Sequence, residues 1–185
     1  WISGRWCTRR LVDSASIGGG AAPAAAAAPA PPLPPAGSPS RVVLGTDPGP
    51  QQFIGAVHGI KVANDGMVYV NDRTANRVQA FTMDGKYVNQ VLIHGPAGLA
   101  LSPDAENRFL YVVDMGGSKI VIVERKTLTP LYQFGNRSNR PGDFEGVHMI
   151  SIDSKGNLYT AEAEPGNRWQ KFAFKGLGPI PTLTN

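Results

Sequence analysis

The sequence predicts an all-β repeat protein, and three observations carry that prediction. First, three segments align as copies of one unit: residues 58–72 with 77–81, 97–114 with 119–123, and 148–162 with 168–172. Second, Tyr69, Tyr111 and Tyr159 mark one column of the alignment, at spacings of 42 and 48 residues. Third, each tyrosine is followed by an acid at three residues (Asp72, Asp114, Glu162) and by a base at eight or nine (Arg77, Lys119, Arg168). Short alternating strands repeated every ~40–50 residues are the mark of a β-propeller, one repeat per blade.

The strands follow in order from residue 53. In the first copy, 60–62 alternates as an inner strand, and Asn64-Asp65-Gly66 supplies a hairpin turn of the type I′ kind, because Asn, Asp and Gly tolerate positive φ. Residues 67–71 return as the second strand, 72–76 loop into the third at 77–82, and Asp84-Gly85 turns into the fourth at 87–93. The second copy runs 99–101, a longer turn from Pro103 to Asn107, then 109–113, 119–123 and 131–134. Residues 135–144 bridge to the third copy, whose first turn is 153–156. That copy stops after its third strand, where Gly176, Gly178, Pro179 and Pro181 follow. The expectation is a propeller region at 53–181 with blades at about 53–94, 95–140 and 141–175, of four, four and three strands. An open outer edge invites pairing, so a strand from elsewhere in the ring is expected to complete the last blade, from a part that this chain lacks.

Closed propellers use about 4–8 blades. A chain of 185 residues that opens on Trp1 and carries three blades is therefore expected to be the C-terminal half of a larger ring. Residues 1–17 show no period and stay unassigned, and 41–52 read as a lead-in loop. Residues 18–40 are Gly, Ala, Pro and Ser apart from Leu33, a composition that offers no core and reads as a disordered Ala/Pro-rich linker. Prolines at 23, 29, 31 and 32 interrupt the apolar run that a signal peptide requires. The net charge is +4, but Arg5, Arg9 and Arg10 lie ahead of the repeats and no basic stripe recurs along them, so no nucleic-acid partner is expected. One cysteine, Cys7, excludes an intramolecular disulfide, and no run of about 18 apolar residues reads as a membrane span.

The acid and base columns bracket the loop between second and third strands, where an ion pair would hold the loop closed. The tyrosines read as packing residues between blades. A half-ring would also leave two blade faces open, with Val68, Val70, Leu158 and Tyr159 available for self-association. No P-loop, Ser-His-Asp set or Cys-rich metal motif is present. A calcium site at the channel mouth would need a ring of carboxylates and asparagines, toward which only Glu145 is well placed.

Two histidines stand out. His58 and His148 each lie two residues before the first inner-strand apolar residue, Ile60 and Ile150, and Ala97 holds the matching place in the middle copy. They therefore occupy equivalent places on alternate blades. In a six-bladed ring such blades point at the axis about 120° apart, a geometry suited to three imidazoles around one zinc with an open position for water. His94, before Gly95-Pro96, falls off this column and reads as a loop residue.

The stretches 64–81, 153–162 and 167–172, with Gly142-Asp143-Phe144, Gly146-Val147-His148 and Lys175-Gly176-Leu177-Gly178-Pro179, resemble the NHL repeat of bacterial six-bladed propellers that are similar to peptidyl-α-hydroxyglycine α-amidating lyase. The resemblance covers roughly 53–180. It implies three NHL-type blades of a six-bladed ring, with a small molecule, peptide or protein partner held at the central channel or its loops. It also implies that His58 and His148 are two ligands of a catalytic zinc, the third lying outside this chain. The lyase follows one of its histidines with a catalytic aspartate, whereas Met149 follows His148 and Gly59 follows His58. Two readings stand: a binding scaffold, or a metal-dependent lyase-like enzyme.

Overall fold

The structure, a computed structural model, describes residues 3–8, 42–44, 53 and 55–178. Among them there are only strands, turns and bends: β1 (Ser3–Thr8), β2 (Val42–Leu44), β3 (Val57–Val62), β4 (Val68–Asp72), β5 (Arg77–Phe81), β6 (Tyr87–Leu92), β7 (Pro96–Leu101), β8 (Phe109–Asp114), β9 (Lys119–Glu124), β10 (Thr129–Phe134), β11 (Val147–Ile152), β12 (Leu158–Glu162) and β13 (Trp169–Gly178). They form three antiparallel sheets in the orders β2-β6-β5-β4-β3, β10-β9-β8-β7 and β1-β13-β12-β11. Consecutive strands run up and down within each sheet (β3 to β6, β7 to β10, β11 to β13), with β2 and β1 added at the outer edges of the first and third. The innermost strands β3, β7 and β11 lie side by side. This is the arrangement of propeller blades, as the repeats predict. Among the described residues no helix is long and apolar enough to cross a membrane.

The strand count departs from the expectation at two edges. The last blade has a fourth strand, β1, which pairs along the outer edge of β13 with Ser3 opposite Gly178 and Thr8 opposite Phe172. The first blade has a fifth, β2, on the outer edge of β6. The completing strand thus comes from the chain's own beginning, within the span left unassigned, and the lead-in loop contains a strand. Both additions satisfy backbone groups that an open edge would leave unpaired. The expected linker at 18–40 lies outside the described residues, as do 179–181.

Three hairpin turns share one geometry, and it is not type I′. Gly66, Gly85 and Gly156 have φ of 84°, 83° and 81°, and each donates its N–H to the carbonyl three residues back, on Ala63, Thr82 and Asp153. Only the last turn residue is left-handed, which is the three-residue loop closed by a glycine bulge. At the opposite end of the blades, Asn76, Ser118 and Asn167 are left-handed too (φ 55°, 55° and 45°), each just before the base of its column.

Two apolar clusters fill the seams between blades. Tyr69, Val78, Ala80 and Val91 of the first blade pack with Leu99, Leu110, Val112, Val121 and Val123 of the second. The other face of the second blade (Phe109, Tyr111, Val113, Ile120, Ile122) packs with Phe144, Val147, Leu158 and Phe172 of the third. The tyrosine column thus faces the following blade in both seams, as read from the sequence. Alternation explains both clusters: successive residues of the middle strands serve opposite seams, so β8 and β9 are apolar on both faces.

The acid–base columns close two loops of the three. Arg77 Nε donates to Asp72 Oδ2 at 2.9 Å, and Arg168 Nε to Glu162 Oε1 at 2.6 Å. Both carboxylates are fully buried, so these are interior pairs. In the middle copy Asp114 Oδ1 instead accepts the Gly117 N–H at 2.6 Å, and no ion pair to Lys119 forms among the described residues. Gly116-Gly117 lets the loop backbone turn onto the carboxylate, and burial pushes the Asp114 carboxyl above its ordinary range.

At the hairpin end of the first seam, Arg125 is buried. Its guanidinium donates twice to Asp65, Nη1 to Oδ1 at 3.0 Å and Nη2 to Oδ2 at 2.7 Å, and also to Tyr69 Oη at 3.0 Å. Its remaining donors reach the carbonyls of Asn107 at 2.6 Å and Glu106 at 2.9 Å. One side chain thus ties the hairpin of one blade to that of the next, with every N–H direction used.

Candidate functional site

The site is built on two β-bulges. Val57 pairs with Asp72 and Gly59 with Asn71, which leaves His58 as the extra residue. Val147 pairs with Glu162 and Met149 with Ala161, which leaves His148 as the extra residue of the third blade. The middle blade has the same irregularity between Pro96 and Leu99. A bulge bends its strand and re-aims a side chain, and here it does so at the start of each inner strand.

The two imidazoles meet. Their ring centroids are 4.7 Å apart with planes at 75°, an edge-to-face contact between residues 90 positions apart in sequence. Small residues in the intervening strand make the meeting geometrically available. Ala97 is buried at the matching place, and at Gly98 a Cβ would lie 2.9 Å from the His148 carbonyl oxygen and 3.0 Å from the Ile150 nitrogen. Gly59 is similarly close-packed, its Cβ position 2.8 Å from the Ala97 carbonyl oxygen. Asn71 Nδ2 donates to that same carbonyl at 2.6 Å, fastening the first blade to the start of β7.

Arg73 completes the site, and sequence reading missed it. Its Nη1 donates to His58 Nε2 at 3.0 Å. The loop that carries it is laced to the strand entry: the Arg73 N–H donates to the Ala56 carbonyl at 3.2 Å and the Ala56 N–H to Thr74 Oγ1 at 3.1 Å. With Nε2 accepting, the His58 proton resides on Nδ1, which is buried without a hydrogen-bond partner. Desolvation by burial, then the Arg73 charge, then His148 hold the His58 pKa below its ordinary value, so the ring is neutral near pH 7. The only signal for Arg73 in the sequence is its place one residue beyond the acid column.

His94 stands apart, as read from the sequence. Its ring covers Gly116 in the loop between β8 and β9, where a Cβ would come within 2.4 Å of Nδ1. Glu145 does not complete a carboxylate ring. Its N–H donates to Glu162 Oε2 at 2.5 Å, and the Glu162 carboxylate is engaged by Arg168 and Gln170. Among the described residues, no three His, Cys, Asp or Glu side chains converge on a common point. Two imidazoles meet, and as found neither His58 nitrogen is open to a metal, since Nε2 accepts from Arg73 and Nδ1 carries the proton.

No family model matches the chain, and no curated protein matches it. Solved structures do match. Dihydro-heme d1 dehydrogenase NirN, in complex with DHE, is 18% identical at a TM-score of 0.50 over 60% of this chain and 24% of its own. Virginiamycin B lyase from Staphylococcus aureus is 16% identical at 0.47 over 77% of this chain and 47% of its own. The β-propeller domain of Cps50 (Swd1) from Myceliophteria thermophila is 11% identical at 0.45 over 58% and 33%. The chain spans less than half the length of each. At such identity the likeness is one of fold alone.

Proposed function

We propose that this chain is a ligand-binding β-propeller scaffold whose site is the channel end formed by His58, His148 and Arg73. The observation that carries the reading is the 4.7 Å contact between two histidines that the repeat places on alternate blades. Two imidazoles and a guanidinium, with no carboxylate hydrogen-bonded to them among the described residues, favour a small molecule or peptide carrying a carboxylate.

A second reading has one observation of its own. His58 Nδ1 is a buried nitrogen without a partner, and once its proton is moved to Nε2 it would, with His148, give zinc two of the three or four protein ligands that such sites use. Bound there, zinc would act as a Lewis acid and lower the pKa of a bound water. The NHL-type motifs of residues 53–180, with their similarity to amidating lyases, support this enzyme-like reading. Zinc on Nδ1 would leave the ring proton on Nε2, so Arg73 would have to release that nitrogen, while His148 would supply the second ligand.

Arg73→Ala separates the two. Isothermal titration of the 185-residue chain with N-acetylglycine and, separately, with zinc gives the readout. For the carboxylate site, Arg73→Ala weakens N-acetylglycine binding at least tenfold and leaves zinc unaffected. For the metal site, His58→Ala and His148→Ala each abolish zinc binding, His94→Ala does not, and Arg73→Ala tightens it by removing a nearby cation. Identical titrations for all four variants and the wild type would overturn both readings.

A further inference from the structure

Each blade fastens its own strand entry in the same way. The residue after the acid column donates its N–H to the carbonyl just ahead of the inner strand: Arg73 to Ala56 at 3.2 Å, Met115 to Gly95 at 3.4 Å and Ala163 to Gly146 at 2.9 Å. Two places after that carbonyl comes the residue at the bulge: His58, Ala97 and His148. The repeated backbone bond therefore sets one side chain against the other in every copy. In the first blade the pair is Arg73 and His58, joined by the 3.0 Å hydrogen bond to Nε2. In the middle blade it is Met115 and Ala97, which belong to one apolar cluster. In the third it is Ala163 and His148, and a methyl group has no hydrogen bond to give.

The two imidazoles are therefore unequal. His58 is spent, with Nε2 taken by Arg73 and Nδ1 buried. His148 touches the His58 ring, but among the described residues no hydrogen bond reaches either of its nitrogens, and neither nitrogen is buried. Ala163 beside it is exposed. Arg73 gives one N–H to His58 and keeps further donors, and among the described residues no carboxylate pairs with it. The cap on His58 is made within one blade. It owes nothing to the blade faces, where Val70 and Leu158 are buried rather than open to a partner as the sequence suggests.

We infer that Ala163 selects His148 as the imidazole that meets the ligand. The inference rests on the carboxylate reading above. The carboxylate accepts from the His148 ring N–H and from the donors left on Arg73, and His58, in contact with both residues, forms the wall of the site. The group next to the carboxylate takes the place that a longer side chain at position 163 would fill. A side chain able to reach His148 from there would close the site, as Arg73 closes His58. Ala163 is thus a specificity-determining residue, which admits a carboxylate only while it stays short.

Labelling with diethyl pyrocarbonate, which acylates accessible imidazole nitrogens, tests this on the 185-residue chain, whose three histidines fall in separate tryptic peptides. Mass spectrometry gives the rate at each. In the wild type His148 is expected to react about tenfold faster than His58, and saturating N-acetylglycine to slow His148 but not His94. Ala163→Arg is expected to slow His148 about tenfold, with no further slowing by N-acetylglycine, whereas Ala163→Ser behaves as the wild type. Arg73→Ala removes the cap and raises the His58 rate. Circular dichroism confirms that each variant keeps its sheet content. Equal rates at His58 and His148 in the wild type would overturn the inference. So would an unchanged His148 rate in Ala163→Arg, or undiminished protection by N-acetylglycine in that variant. A fast His148 that Ala163→Arg slows, but that N-acetylglycine never protects, would instead overturn the carboxylate reading and leave Ala163 as the residue that keeps His148 open.

Discussion

Between the first and second blades the seam ends in a buried arginine, whereas between the second and third it ends in three phenylalanines. Arg125 holds Asp65, Tyr69 and two carbonyls at the hairpin end of the first seam. In the second, Phe134 lies 6.1 Å from Phe144 and 5.3 Å from Phe172, and all three come from different chain segments. The same repeat therefore fixes where a seam lies but leaves open what fills it. A polar lock gives orientation, since a guanidinium with five directed donors accepts one arrangement of its partners. Aromatic filling gives area, since each ring buries about 150–250 Å² and tolerates several tilts.

Breaking the aromatic seam should have the largest effect. Phe144→Ala removes a fully buried ring, and such truncations cost about 3–5 kcal/mol. Urea unfolding should place the third blade's loss well below that of the wild type. Arg125→Met should come next, at about 2–3 kcal/mol, because it leaves Tyr69 Oη and the carbonyls of Asn107 and Glu106 short of a buried donor. A midpoint unchanged within error would mean that the lock orients the blades without stabilising them.

Gly98→Ala probes the strand between the histidines. Its Cβ would press on backbone atoms of β11 at 2.9–3.0 Å, so overpacking should cost about 1–3 kcal/mol. The shift of β11 should also change the His148 ring resonances by NMR, whereas neither seam substitution should move them as far. Asp65→Asn should have the smallest effect, roughly 1 kcal/mol, since Asp65 is partly open to water. Its pH dependence is diagnostic. Hydrogen bonds from Arg125 hold the Asp65 carboxyl below its ordinary range, so its contribution is complete above about pH 4 and is lost as pH falls through the lower folded value. The difference in thermal midpoint between wild type and Asp65→Asn should be constant from about pH 5 to 8 and close below about pH 4.

Much of this was legible because the repeat carries register. The glycines of the hairpins, the tyrosine column and the histidines at the strand starts are positional signals that local chemistry enforces. Three kinds of information were not positional. The edge strands β1 and β2 are short and lack a period, and they form because an outer edge needs pairing. Arg125 reads as an ordinary surface cation after a strand, and only the neighbouring hairpin with Asp65 explains its burial. Arg73 meets His58 through a bulge, which adds a residue that no alternation pattern reveals. The Asp114–Lys119 pair fails for a local reason, the two glycines that let the loop backbone reach the carboxylate first.

The contact between His58 and His148 is the point at which repeat, bulge and small middle-strand residues converge, and it is measurable without any ligand. In protein carrying 13C-labelled histidine, ring protons at a centroid distance of 4.7 Å fall within the range of nuclear Overhauser effects. Assignment is direct, because the chain has three histidines and His94→Ala removes one. Cross-peaks between the His58 and His148 rings, with none from His94 to either, are the predicted result. A folded protein with no cross-peak between them would contradict the account, because the two alternate blades would then not deliver their strand starts to a common channel end.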